Sequence, residues 1–416
     1  MKILTKSFFP GFIFLYLVLA SSYLSALSSG ISLEMPGLPV LNSQAAVLVD
    51  GVTGTVLYEK NSSLTIPPAS MTKLMSLFIV YTAIENGEVK KDDLVTISRE
   101  ADFRSLPAHS SLMFLEAGQV VTVFDLMLGL AVPSGNDAAI AIAEKIAGSV
   151  KSFVGIMNST ARDMGLLSVH FEDASGLSEN NIVTAYDFAK FCSIYIDKFP
   201  DALKDLHSVT SFTYPKEKNW SANGSSVYGP ITQYNRNNLL SAFEPVDGLK
   251  TGYIDESGYN IALTAEINGR RLIAVLLGGA GKNSTEGALL RGIDGVSLLS
   301  YGFYRFTNVR SRVSGLDPVR IWKGSGRYLE LDIPELPILT LKVENAALFH
   351  TRVVVPENMV APVGKGDVLG EIIAMSGERI IEKYPLTAAE NVSSGSFFRR
   401  FLDSIKIFFL KITGKF

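Results

Sequence analysis

The chain has 416 residues, 47% of them apolar and 19% charged, which is length enough for two or three domains and the wrong balance for a disordered or nucleic-acid-coating protein. The formal net charge is −3, yet both ends are cationic and apolar: Lys2 and Lys6 mark one, and five basic residues against the single acid Asp403 mark residues 396–416. An acidic body between such ends points to membranes as partners and excludes nucleic acid.

Residues 1–28 follow the plan of a secretory signal peptide: Lys2 and Lys6, an apolar stretch over 8–19, then the small residues Ala20, Ser22, Ala26 and Ser28. An uncleaved anchor is the alternative, although Pro10 and Gly11 interrupt the run. Two β-rich runs, 45–50 and 55–60, are joined by Gly51-Val-Thr-Gly54, the pattern of a hairpin. Apolar residues then recur three or four apart over 71–85, 124–130, 138–146, 150–164 and 185–196, which predicts helices. Cys192 falls in the last of these and reads as a packed thiol; as the single cysteine it has no partner for an intrachain disulfide. The four histidines, His109, His170, His207 and His350, show no metal-ligand spacing, so neither a metal nor another cofactor is expected. Strand-like runs return at 260–266 and 272–277, followed by a helix over 285–303. Residues 33–310 are therefore expected to form one α/β domain whose sheet draws strands from both ends of the segment, with a helical lobe between.

From about residue 311 the texture changes to short β runs broken by Gly and Pro, at 320–322, 328–333, 338–343, 351–355, 368–375 and 379–383. That spacing suggests a separate small all-β sandwich over 311–392. Residues 391–396, rich in Ser and Gly, read as a linker to an amphipathic helix over 396–416. At 100° per residue Phe397, Phe401, Ile405, Phe408 and Ile412 fall within about 80° of one another. Phe398, Leu402 and Phe409 widen that face, and Arg399, Arg400, Lys406 and Lys411 lie opposite, with Ile407 and Leu410 intruding on the polar side. Five cations make a bilayer span unfavourable, so the segment is expected to lie flat on a membrane surface, with docking on the chain's own β domain as the alternative.

The chemistry enters at Pro67-Pro-Ala-Ser70-Met-Thr-Lys73. Prolines suit a helix entrance, so Ser70 is expected at a helix N-terminus with Lys73 three residues on and on the same face. A serine hydroxyl is a weak nucleophile until a base takes its proton, and a lysine serves as that base only when burial and a neighbouring cation keep it neutral. Alone, the tetrapeptide reads equally well as a helix cap followed by a solvated lysine. A second element, Pro133-Ser134-Gly-Asn136-Asp137, opens another helix and holds a hydroxyl and an amide on a rigid loop end. The same Ser-x-Asn spacing at Ser178/Asn180 and Ser221/Asn223 lies in polar stretches that read as turns. The third element is Asp247-Gly-Leu-Lys250-Thr251-Gly252-Tyr253. A lysine and a threonine hydroxyl at a strand edge make a carboxylate clamp, and Gly252 allows substrate backbone to approach. By itself the motif is also a β turn with a solvated lysine.

In this order, Ser-x-x-Lys, Ser-x-Asn and Lys-Thr-Gly resemble the three-part signature of the penicillin-recognising serine enzymes. Within that superfamily the chain is similar to the low-molecular-mass D-alanyl-D-alanine carboxypeptidases of the penicillin-binding protein 5 type, peptidase family S11. The likeness runs through 69–75, Ser111-Leu-Met-Phe114, 134–137, Tyr234-Asn-Arg-Asn237, 247–252, 363–370 and the terminal helix. It implies a penicillin-binding, β-lactamase-like fold and an extracytoplasmic, periplasmic enzyme at the cytoplasmic membrane. Such an enzyme removes the terminal D-alanine from peptidoglycan stem pentapeptides, needs no cofactor and is inhibited by β-lactam antibiotics. The resemblance makes Ser70 the nucleophile, Lys73 the general base and Ser134 the proton relay. Asn136 holds substrate backbone, Lys250 and Thr251 grip the C-terminal carboxylate, and Lys250 helps to keep Lys73 neutral. The backbone N–H groups of Ser70 and Tyr253 form the oxyanion hole; relatives often carry His at the latter position, which a backbone donor tolerates. Arg236 either supports the clamp or is a salt-bridged structural arginine.

Two other readings compete. A class A-like β-lactamase needs a glutamate to activate the deacylating water; Glu172 is the candidate, but its Glu-x-x-Leu-Asn context is missing and 170–176 reads as a turn. A catalytically decayed wall-binding module is disfavoured because every polar motif residue is present, and the GxSxG elbow of ordinary esterases is absent.

Overall fold

The computed structural model describes residues 37–216, 219, 228–313 and 315–414, so the expected leader 1–28 lies outside them. Two compact units divide between Tyr304 and Arg305. The first is built on a five-stranded sheet of β1 (Ala45–Asp50), β2 (Val56–Lys60), β3 (Val246–Ile254), β4 (Gly258–Ile267) and β5 (Arg270–Gly279), in the order β2-β1-β5-β4-β3. Every pairing is antiparallel. The outer strands at one side thus come from the start of the domain and the other three from its end, as expected from the sequence. β1 is buried along its whole length, the mark of a central strand covered on both faces.

Five longer helices carry much of the rest among the described residues: α1 (Lys73–Glu85), α2 (Val123–Ala131), α3 (Asn136–Ala147), α4 (Val150–Asp163) and α5 (Ala185–Lys198). A sixth, α6 (Ser284–Arg305), closes the domain, with Gly302 lying against Leu48 and Leu272 of the sheet. α1 is buried on every side from Lys73 to Tyr81, so its apolar content reflects a core position rather than one inward stripe. Cys192 is fully buried, and desolvation pushes its thiol pKa up, which leaves it packed and unreactive.

Lys-Thr-Gly lies inside β3, the edge strand of the sheet, in keeping with the strand-edge placement expected from the motif. Asp247, Gly248, Lys250 and Gly252 break the apolar run that would have revealed it.

The second unit is all-β apart from its last helix and one short turn of helix. Phe306–Arg310 pairs with Ile338–Lys342, which draws the boundary to Arg305, ahead of the change in texture at 311. β6 (Phe349–Val354), β7 (Val368–Ser376) and β8 (Arg379–Ala388) make the core of a four-stranded sheet, and Val319–Trp322 centres a three-stranded one. The Ser/Gly segment is not a free linker. Bridges at Val363–Val392 and Gly324–Ser394 tie it to the β unit.

Candidate active site

Ser70 sits in a 3-10 turn, Ala69–Thr72, that feeds α1 at Lys73. Ala69 and Ser134 hold left-handed φ angles of 50° and 65°, conformations that cost a non-glycine residue energy and survive where the surroundings impose them. Gly252 of β3 supplies one such constraint. A Cβ there would strike the Pro68 carbonyl oxygen and crowd Ser70 N, so the close approach at this glycine is with the chain's own Ser70 turn.

Lys73 is fully buried. Its Nζ lies 3.0 Å from Ser70 Oγ, 2.7 Å from Asn136 Oδ1 and 2.6 Å from the Ser175 carbonyl oxygen. Ser134 occupies the loop between α2 and α3, and its Oγ lies 3.0 Å from Lys250 Nζ, which also reaches the Thr251 carbonyl at 3.2 Å. Three distant segments therefore meet as two lysine–serine pairs, with Asn136 touching the first. The Ser-Gly-Asn-Asp loop is locked from beneath: Asn136 N donates to Ser111 O at 2.7 Å, and the buried Asp137 carboxylate accepts from Met113 N and Leu115 N.

Burial pulls the Lys73 pKa down from 10.5 to about 7, and the Arg236 cation pushes the same way, against the Asp173 and Asp137 carboxylates. Lys250 is depressed well below its ordinary value by burial first, then by Lys73, Arg236 and Arg291. Like-charge pressure from Arg236 thus acts on both lysines, and the two lysines press on each other. Arg236 itself is exposed, and among the described residues no carboxylate pairs with it. The salt-bridged structural role is therefore not the one it has here. Tyr253 is half exposed; its hydroxyl donates to Asp255 at 2.6 Å and its ring packs on Tyr259.

The sequence reading missed the 170–182 loop as part of the site. Asp173 accepts from Ser175 N, Gly176 N and Ser178 N and from Asn181 Nδ2, and so aims Ser175 O at Lys73 and Ala174 O at Ser76 Oγ. A backbone carbonyl has no residue type, so only the turn chemistry of Asp-x-Ser-Gly hinted at it. Ser178 and Asn180 belong to this same loop, where Asn180 N donates to Ser178 Oγ in a local turn; Ser221 and Asn223 lie outside the described residues. Glu172 turns outward, half exposed and 2.7 Å from His170 Nε2.

An α/β fold with a serine bonded to a buried lysine and a second serine bonded to a strand-borne lysine defines a penicillin-binding class of serine acyl-transfer enzyme. Residues 34–281 match the family model of D-alanyl-D-alanine carboxypeptidase, peptidase S11, and residues 309–394 match that of the penicillin-binding protein 5 C-terminal domain. The chain is 32% identical to D-alanyl-D-alanine carboxypeptidase DacA of Escherichia coli K12 over 401 residues, covering 94% of each. The crystal structure of penicillin binding protein 5 from Haemophilus influenzae superposes with a TM-score of 0.71 at 30% identity, covering 86% of this chain and 99% of that one. Penicillin-binding protein D2 of Listeria monocytogenes in its ampicillin-bound form covers 64% of the chain with a TM-score of 0.53 at 27% identity. The chain belongs to the D-alanyl-D-alanine carboxypeptidase family, peptidase S11.

Proposed function

We propose that the protein removes the terminal D-alanine from peptidoglycan stem pentapeptides through an acyl-enzyme on Ser70, outside the cytoplasm. The observation that carries the reading is the arrangement around Lys73. A neutral amine has two N–H donors and one lone pair. Asn136 Oδ1 and Ser175 O take the donors, which leaves the lone pair for the Ser70 hydroxyl proton. Ser70 Oγ then attacks the D-Ala-D-Ala carbonyl as Lys73 Nζ takes its proton. Negative charge gathers on the carbonyl oxygen, where the Ser70 and Tyr253 backbone N–H groups receive it; one such donor is worth roughly 3 to 4 kcal/mol. The C–N bond breaks as Ser134, bonded to Lys250, gives its proton to the departing amine and is reprotonated at the expense of the Lys73 ammonium, which returns Lys73 to its neutral form. Water then cleaves the ester, returning Ser70 and the shortened peptide. Asn136 orients substrate backbone, and Lys250, Thr251 and Arg236 form the carboxylate clamp. Glu172, turned to solvent, does not favour a β-lactamase.

The clamp makes a direct prediction. Charge-assisted hydrogen bonds are worth roughly 1.5 to 3 kcal/mol each, so amidating the terminal D-alanine should lower kcat/KM by about tenfold to a hundredfold. Shortening the far end of the stem peptide should cost much less. Equal cleavage of acid and amide peptides would remove the clamp from the mechanism.

We infer further that α7 (Phe397–Ile412) binds a membrane surface. Phe397, Phe398, Phe401, Phe408, Phe409 and Ile412 are all more than half exposed, whereas Asp403 and Ile407, one turn apart on the helix, are buried. The helix therefore docks by a narrow ridge: Asp403 accepts from Lys323 N at 2.8 Å, and Arg399 donates to the Ser325 and Gly326 carbonyls. Ile407, an intruder in the sequence pattern, belongs to that ridge, and the aromatic face remains for lipid. Among the described residues no helix is long and apolar enough to cross a membrane. Ending the chain at Ser394 should leave activity on small peptides unchanged and abolish co-sedimentation with anionic vesicles. A truncated protein that still pelleted would place the membrane contact elsewhere.

A further inference from the structure

Arg291, on α6, is 6% exposed. Its guanidinium donates to the Asn260 carbonyl on β4 at 3.3 Å and to the Arg236 carbonyl at 3.4 Å, while its Nε is buried with no partner. No carboxylate among the described residues pairs with it. A buried guanidinium held by two long bonds to neutral oxygens is a costly arrangement that stability alone does not explain. Burial lowers its pKa to about 10, with Tyr259 and Arg236 as the ionisable neighbours, so it is charged at neutral pH.

The placement gives that charge a use. Asn260 faces Gly252 across the β3–β4 pairing. Its side chain donates to Pro67 O ahead of the Ser70 turn and accepts from Gly278 N of β5. Arg291 thus grips the backbone on both sides of the clamp, at Asn260 behind Gly252 and at Arg236, and its charge acts beside that of Arg236 on Lys250. Among the described residues no carboxylate pairs with Lys250, Arg236 or Arg291, so the substrate's own C-terminal carboxylate is the anion available to them.

We propose that Arg291 is a positioning residue for carboxylate recognition, a buried cation that fixes Arg236 and the β3–β4 pair and supplies part of the potential that the substrate carboxylate neutralises. The inference rests on the carboxypeptidase reading above. The test compares Arg291→Gln and Arg291→Lys with the wild type on two peptides, one ending in D-Ala-D-Ala and the other in its amide. Arg291→Gln should raise KM for the acid about tenfold and change kcat less than twofold, while the amide is cut as by the wild type. Arg291→Lys, which keeps the charge, should restore most of the difference. Equal losses on acid and amide, an unchanged acid KM, or a lysine variant no better than glutamine would each overturn the proposal. Should the glutamine variant fail to fold, the ratio of acid to amide kcat/KM in Arg291→Lys decides: retention supports it and collapse overturns it. A wild type that ignores the terminal carboxylate would instead overturn the clamp reading itself.

Discussion

Replacing Ser70 with alanine should lower kcat/KM on a D-Ala-D-Ala peptide by at least about 10⁴-fold, because the chemical step passes through an ester that alanine cannot form. Substrate binding should survive, since Lys250 and Thr251 lie on β3 and Asn136 on α3, and the Ser70 side chain is small and only partly buried. Penicillin G should acylate the wild type at Ser70 alone, visible as one mass shift on the peptide containing 70–73. That adduct should be slow to hydrolyse, because Glu172 pairs outward with His170 and leaves no carboxylate of the kind a β-lactamase uses to activate water. Continued labelling of Ser70→Ala would overturn the assignment of the nucleophile. Rapid turnover of a chromogenic cephalosporin by the wild type would overturn the carboxypeptidase reading in favour of the lactamase.

How far the sequence reveals this architecture depends on where the determining information resides. The hairpin β1–β2 and the helices α2 to α5 were legible because their apolar periodicity is strong and local. The apolar pattern did not register β3, although the motif placed Lys250 and Thr251 at a strand edge: these adjacent polar residues are both buried, on opposite faces of the strand, so alternation of apolar residues is interrupted on each. The three motifs identified Ser70, Lys73, Ser134, Asn136 and Lys250 as side chains, and the fold brings all five within two hydrogen-bonded clusters. Ser175 O escaped because any residue supplies a carbonyl. Arg291 escaped because an isolated arginine on a helix is ordinarily solvated, and only the tertiary fold shows that α6 turns it inward. The tail shows the opposite case, in which a flaw in the pattern was informative: Ile407 fell on the polar side of the helical wheel because that ridge is the one that docks on the β unit.

Replacing Lys73 with methionine should lower both the release of D-alanine from peptide and acylation by penicillin by about 10² to 10⁴-fold, the range of a lost general base. The stronger test is the pH profile. With the Lys73 pKa drawn down to about 7, kcat/KM of the wild type should rise through pH 7 as the amine loses its proton. Arg236 presses that pKa downward, so Arg236→Gln should move the rising limb to higher pH, in addition to its cost in KM. A limb that stayed in place in Arg236→Gln, or an unchanged limb in Lys73→Met, would assign the titration to another group. Stability carries the same signature with a definite sign. Lys73 binds its proton less readily folded than unfolded, so between about pH 7 and its ordinary value of 10.5 the unfolded chain holds more protons and stability rises with pH. The slope from this one group is at most about 1.4 kcal/mol per pH unit. Lys250 is also depressed, in part by Lys73, so the comparison reads the two coupled lysines together. The difference in unfolding free energy between wild type and Lys73→Met, followed by denaturant titration across that window, should therefore shift steadily toward the wild type as the pH is raised. A difference independent of pH would mean that Lys73 keeps its proton in the folded protein, and the serine would then need another base.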